Sequence, residues 1–468
     1  MYNIFFHPLA SFPGPKTRAV SILPWVASAL RGRIPQSIKK LHDTYGEVVR
    51  VGPNTLSFVA PSAWQDIYGH GNSRNFQKYN YPRTDDGTNS LLTADDTDHP
   101  RQRKLAKRAF SDKALKGQED LIKLHIDKLM AHFRYVADGQ NGGVVDVVKW
   151  FNYASFDLIG DLAFGEGFGC LEKDDSRSAV STIIEFNRST AMIEEALKFP
   201  LLSKLIMWLI PKKTLEERAR HISMSNKKLH RRLASSDDRA DFWSHILSNR
   251  GEKDRSMSVQ EMEANASLFL FAGSESTATA LSGALYYVCK HPSVLKKLQE
   301  EVRSTFENEK SIHITSVQKL GYLHATLQES LRIYPPFPAN IPRISVLGNA
   351  SVAGYAVPRG TIVQIPIWPA NTYSKNFTNA QNFIPERWID SDKYNRDQQA
   401  AMQPFSIGPR NCIGQSLAWI EMKLILCRLI YNFDVQLADT LFDPEMQSVY
   451  IVWEKQPLNV RLTHRAVV

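Results

Sequence analysis

Over about residues 258–289 the sequence carries apolar residues at helical spacing without a break, and Lys290-His-Pro292 ends the run. From about 100 to 333 the surrounding pattern is mostly helical as well. Strand signals lie outside it: 47–51 and 54–58 flank a Gly52-Pro53 turn and read as a hairpin, and further runs occupy 343–346, 350–357 and 361–365. A loop-rich span then leads to Cys412, and a last long helix is expected from about Gln415 to Tyr431. The Pro-rich pieces at 12–15 and 334–338 are short enough to be rigid turns. No repeat or low-complexity linker offers a place to cut. At roughly 150 residues per domain the length alone suggests about three domains, but the pattern reads as one mainly α body with a small β lobe.

Composition narrows the function classes. Hydrophobic residues make up 43% and charged residues 22%, which excludes disorder, collagen and coiled coil. The four cysteines, at 170, 289, 412 and 427, include no C-x-x-C pair, so neither a disulfide framework nor a structural zinc site is expected, and the compartment reads as reducing. The net charge of +9 is spread over a long chain, where nucleic-acid binding would call for concentrated stripes. The densest basic cluster is Arg101, Arg103, Lys104, Lys107 and Arg108 on one predicted helix, either a solvated face or a surface for an acidic protein partner. No window reaches the roughly 18 apolar residues of a spanning helix, and no secretory signal is seen. Ile4, Phe5, Phe6, the stretch 20–30 and the stretch 199–211 are apolar nonetheless, and each is either buried core or a contact with a membrane interface.

One segment concentrates the chemistry: Phe405-Ser-Ile-Gly408-Pro-Arg410-Asn-Cys412-Ile-Gly414. A thiolate is stabilised by backbone N–H groups, a helix N-terminus or a metal ion, and a helix is expected just after this cysteine. Gly408 permits a tight turn before the sulfur, Gly414 removes a side chain where a flat ligand would lie, and Arg410 supplies a cation suited to a carboxylate. With every defining position filled, the segment resembles the F-x-x-G-x-R-x-C-x-G haem-binding loop of the cytochrome P-450 superfamily. The resemblance makes Cys412 the proximal thiolate ligand of haem iron and pairs Arg410 with a haem propionate. A thiolate ligand pushes electron density onto the iron and favours O–O cleavage.

Other segments agree in order and context. Glu329-Ser-Leu-Arg332 supplies the superfamily's E-x-x-R pair; the same spacing recurs five times elsewhere, usually the mark of a surface pair contributing about 0.2–0.5 kcal/mol. Here it precedes Tyr334-Pro-Pro and Pro385-Glu-Arg387-Trp, which resembles the P-E-R-F segment, so Glu329, Arg332 and Arg387 are expected to form the network that fixes the approach to Cys412. Ala272-Gly-Ser-Glu275-Ser276-Thr277 resembles the oxygen-activation motif, in which an acid beside a hydroxyl relays protons. Serine stands first here and threonine second, so the relay hydroxyl is either Ser276 or Thr277. A glycine inside a helix costs about 1 kcal/mol, and close approach of a flat ligand would account for Gly273. His99-Pro-Arg-Gln-Arg103 resembles the W-x-x-x-R segment, with Asp98 as a candidate cap. Arg343 matches a further propionate-binding arginine.

Nearly the whole chain shares the likeness, which is to fungal microsomal members of secondary metabolism such as the isotrichodermin C-15 hydroxylase type. Residues 1–30 then read as an apolar membrane-proximal segment of a shortened or naturally anchorless form, and 31–468 as the catalytic domain. The resemblance implies haem b as cofactor and insertion of one oxygen atom from O₂ into a hydrophobic small molecule, a terpenoid, polyketide or alkaloid. Electrons would come from NADPH through a separate NADPH-cytochrome P-450 reductase, since no dinucleotide fingerprint occurs. Lys423 and Arg428 are expected to extend the basic docking face, and residues 89–92, 268–272 and 337–341 to line the pocket, with Met207 and Trp208 at an entrance. The location implied is the cytosolic face of the endoplasmic reticulum membrane, bound peripherally. A reductase-free isomerase or dehydratase and a non-catalytic haem sensor are the alternatives.

Overall fold

The computed structural model of the chain describes residues 1–71, 75–79, 87–199, 205, 207–208, 210–235, 241–247, 256–339, 342–348 and 350–465. Its principal helices are α1 (Ile34–Tyr45), α2 (Ser62–Tyr68), α3 (His99–Lys107), α4 (Glu119–Ala137), α5 (Val147–Phe164), α6 (Ser178–Leu197), α7 (Lys212–Ala234), α8 (Val259–Lys290), α9 (Pro292–Thr305), α10 (Gly321–Ile333) and α11 (Gln415–Asn432). The strands are β1 (Val48–Gly52), β2 (Thr55–Phe58), β3 (Phe76–Lys78), β4 (Val144–Asp146), β5 (Arg343–Ser345), β6 (Ala350–Val352), β7 (Tyr355–Val357), β8 (Ile362–Gln364), β9 (Phe433–Leu437) and β10 (Asn459–His464). The mainly α body with a small β lobe is what the sequence pattern predicts.

Helix α8 begins where a capping box allows it. The Ser258 hydroxyl accepts from the Glu261 N–H at 3.1 Å, and the Glu261 carboxylate accepts from the Ser258 N–H at 2.7 Å. From there it runs through the largest apolar core, where α5, α7, α10 and α11 pack around it. Buried polar groups set the position of α3: Asn265 of α8 donates to Gln102 (3.0 Å) and accepts from the Leu91 N–H (2.8 Å). Arg101 reaches Glu261 and the Ser256 carbonyl. Asp98 does not cap α3; its carboxylate accepts instead from Arg101 Nε and Gln102 Nε2, because both side chains fold back over the first turn.

The lobe is a five-stranded sheet in the order β1-β2-β8-β5-β3, with β2 parallel to β8 and the other neighbours antiparallel. β4-β10-β9 and β6-β7 form two smaller sheets. Val48, Leu56, Phe58 and Val363 make a second core between the five-stranded sheet and α2. Among the described residues, no helix is long and apolar enough to cross a membrane.

Two buried histidines tie helices into this frame. His42 of α1 bonds the Gly46 carbonyl and Ser57 Oγ, each at 2.8 Å, and His221 of α7 packs on Phe186. Burial lowers both from 6.5 to about 4. An unfolded chain binds these protons near pH 6.5, so this contribution to stability is present above that pH and is lost as pH falls toward 4. The urea midpoint should drop across that window, and His42→Gln should flatten part of the drop; a midpoint flat over the window would contradict the assignment.

Candidate active site

The loop before α11 carries a single sulfur. Its ends are joined by the Cys412 N–H donating to the Phe405 carbonyl at 2.8 Å. Gly408 has φ +75°, and a Cβ there would collide with the Tyr68 carbonyl oxygen, so only glycine lets the loop pass α2. Cys412 is exposed, yet burial raises its thiol pKa against the opposing pull of the Gly414 N–H and the Arg103 charge. Exposed and enclosed at once, the sulfur stands on the wall of an internal space. A Cβ on Gly414 would meet neighbours only at ordinary contact distance, the Phe110 ring at 3.9 Å and the Cys412 sulfur at 4.0 Å, so that side of the loop is open.

Positive charge gathers beside the loop. Arg103 of α3 donates to the Asn411 carbonyl (2.7 Å) and side chain (2.5 Å). Arg410 pairs with Asp96 at 2.7 Å and donates to the Ala94 carbonyl. Arg343 of β5 lies over the Tyr68 ring, and its buried Nη1 has no hydrogen-bond partner among the described residues. Burial first, then the charges of Arg410 and Arg103, push His99 down to about 4. Among the described residues, three guanidinium groups gather where only Asp96 and, through Arg410, Asp95 oppose them, and a ligand with carboxylates would add the missing negative charge. An exposed sulfur, an open glycine face and an unsatisfied arginine together fit a flat, dianionic, metal-bearing group such as haem.

On α8 the three motif residues point to different faces, as consecutive helical positions must. Glu275 is buried and ion-pairs with Lys455, whose Nζ also donates to Thr279 Oγ1 at 2.8 Å. The half-buried Ser276 donates to the Ala272 carbonyl of its own helix at 2.5 Å. Thr277 is buried against Glu421 of α11, whose carboxyl burial pushes up to about 8. Gly273 differs from expectation. A Cβ there would lie 2.6 Å from Ile159 Cγ1, so the glycine admits α5 rather than a ligand.

Glu329, Arg332 and Arg387 meet with no exposure at all. Glu329 accepts from Arg332 Nε (2.8 Å) and Nη2 (2.7 Å), Arg387 Nε (3.0 Å), Trp388 Nε1 (2.9 Å) and the Ile384 N–H (2.9 Å). The expected extension of the basic face is corrected: Lys423 and Arg428 are buried, the first on Gln318 and the second on Glu309 and Asp127, because α11 runs through the core. Phe337 meets Phe271 of α8 at 6.3 Å between ring centroids, while Asn340 and Ile341, like most of 199–211, lie outside the described residues. Sequence reading missed Lys455, Asp96, Asn411 and Glu421. Asn411, between Arg410 and Cys412, and Trp388, next to Arg387, stood within motifs already singled out but carried no expected role.

A sequence model of the family Cytochrome P450 matches residues 13–462. The chain belongs to the cytochrome P450 family. It is 40% identical over 470 residues to cytochrome P450 monooxygenase lcsI of Purpureocillium lilacinum, covering 99% of this chain and 90% of that one. It is 38% identical over 470 residues both to averantin hydroxylase of Dothistroma septosporum (100% and 89% covered) and to trichothecene C-15 hydroxylase of Fusarium sporotrichioides (99% and 95%). This cytochrome P450 is a haem-dependent monooxygenase, an oxidoreductase that uses O₂, a small-molecule substrate and a redox partner.

Removing one member of a fully buried charge network strands the others. Glu329→Gln should therefore cost about 3–5 kcal/mol, whereas Glu217→Gln, which breaks a surface pair of the same spacing, should cost no more than about 1 kcal/mol. Urea unfolding of the two variants checks this; equal losses would contradict it.

Proposed function

We propose that Cys412 is the axial ligand of haem b iron, that Arg103, Arg343 and Arg410 hold the propionates with His99 beside them, and that Phe405 and Gly414 shape the proximal wall. The observation that carries this reading is that Cys412 is exposed yet its thiol is enclosed, beside a cluster of arginines of which Arg343 has an Nη1 with no partner among the described residues. When bound, the haem supplies O₂ activation and transfer of one oxygen atom to a C–H or C=C bond, the other atom leaving as water. Of the two hydroxyl residues, Ser276 is the relay group, since Thr277 is sealed against Glu421. Glu275 is the relay acid. Glu329, Arg332 and Arg387 retain the haem by fixing the loop.

The substrate is a hydrophobic secondary metabolite of terpenoid, polyketide or alkaloid type; the names of two relatives, hydroxylases of averantin and of a trichothecene, support that class. Electrons come from NADPH through a separate reductase docked on the exposed Lys104, Lys107 and Arg108. Residues 1–30 touch the endoplasmic reticulum membrane from the cytosolic side, with 31–468 as the catalytic domain. The exposure of Phe6 (76%) and Trp208 (80%), together with that of Phe5 and Leu23, supports this membrane contact.

The reduced, CO-bound spectrum tests the central assignment. Wild type should give the long-wavelength Soret band of thiolate ligation and Cys412→Ala should lose it; a histidine-type band in wild type would refute the ligand. Reversing Lys104, Lys107 and Arg108 to Glu should slow reduction by the reductase about tenfold at low salt without loosening haem. Unchanged reduction kinetics would remove the docking face.

A further inference from the structure

The acid of the oxygen-activation motif is already engaged. Glu275 and Lys455 expose only 3% and 4% of their side chains, and the ammonium bridges Glu275 and Thr279, one turn apart on the same face of α8. Ser276, the neighbouring hydroxyl, bonds its own helix on another face, so acid and hydroxyl do not meet. The backbone that carries Lys455 is fastened on both sides. Trp453 Nε1 donates to the Pro335 carbonyl at 2.7 Å, the Glu454 N–H to the Ser448 carbonyl at 2.8 Å, and the Leu458 N–H to Asp146 at 3.1 Å. A lysine on so constrained a segment is held at α8 from outside the helix.

We propose that Lys455 is a positioning residue that keeps Glu275 ionised and turned toward the C-terminal segment, and thereby sets the protonation state of the relay acid. The claim about catalysis rests on Glu275 being that acid; the claim about ionisation does not. Among the described residues, the other charged groups on neighbouring elements are engaged elsewhere. Asp157 of α5 accepts from the Phe168, Cys170 and Leu171 amides, and Asp161 faces His125. Glu329 and Arg332 of α10 bind each other, and Glu421 of α11 faces Thr277. His221 of α7 faces the Ser267 carbonyl. Tyr334 is the remaining titratable neighbour: burial, then Tyr287 and Glu275, hold its phenol neutral well above its ordinary pKa, and its hydroxyl donates to Gln447. Lys455 is therefore the cation that offsets the cost of burying the Glu275 charge.

Infrared difference spectra of the haem-loaded protein, Glu275→Gln against wild type, test this directly through the protonated-carboxyl stretch. No such band should belong to Glu275 in wild type. Lys455→Met should create one, because burial without a cationic partner favours the neutral carboxyl. Lys455→Arg should not, and Lys455→Met/Glu275→Gln should lack the band. A protonated Glu275 in wild type overturns the proposal even where Lys455→Met fails to fold, and so does a Lys455→Met protein without the new band. With reductase and NADPH, Lys455→Met should also raise peroxide release severalfold. If Glu275→Gln itself leaves peroxide release unchanged, the relay reading fails while the infrared result still decides what Lys455 does.

Discussion

The carboxylate of Glu329 carries more of this structure than its size suggests. Between Thr372 and Cys412 the described chain has no strand and only short helical turns, so few of its backbone groups are paired by a ladder. Side chains take over that work. Arg332 donates to the carbonyls of Asn371, Ala380 and Asn382, and Arg387 to that of Thr378, while both lie against the Phe377 ring. Those two cations can be buried because Glu329 faces both and Asp397, equally buried, pairs with Arg387; the indole of Trp388 completes the set of donors to Glu329. The loop that presents Cys412 follows from this arrangement.

Helix α8 supplies the second constraint. It must pack tightly against α5, carry polar groups at its middle and still remain continuous. Gly273 meets the first demand by admitting Ile159, and hydroxyl back-bonds at Ser274, Ser276 and Ser282 satisfy polar atoms without outside partners. The buried polar groups are shared between elements that lie far apart in sequence, Glu275 with the C-terminal segment and Thr277 with α11. One helix thus joins three parts of the core through polar contacts as well as apolar ones.

What could be read in advance follows from where the determining partner lies. The hairpin at β1 and β2, the span of α8 and the start of α11 are set by local periodicity and turn residues, and they appear where the sequence predicts them. The Cys412 loop is legible because its residue types are fixed within ten positions. Lys455 is not: it stands 180 positions from Glu275, in a segment with no periodic pattern. The same distance hid the burial of Lys423 and Arg428, whose charge reads as surface until Glu309 and Gln318 are seen beside them. The role of Gly273 was misread for a related reason, since a helix neighbour and a flat ligand ask for the same missing side chain.

The parallel pairing of β2 with β8 has a consequence for how the protein is made. Thr55, Leu56 and Ser57 find their partners at Ile362, Val363 and Gln364, roughly 300 residues later. At about 5–20 residues per second, the ribosome takes roughly 15–60 s to deliver them. Throughout that interval the early hairpin presents an open strand edge with Leu56 and Phe58 uncovered, the kind of surface that pairs with other chains. The β lobe is thus the part of this enzyme whose yield depends on protection during synthesis.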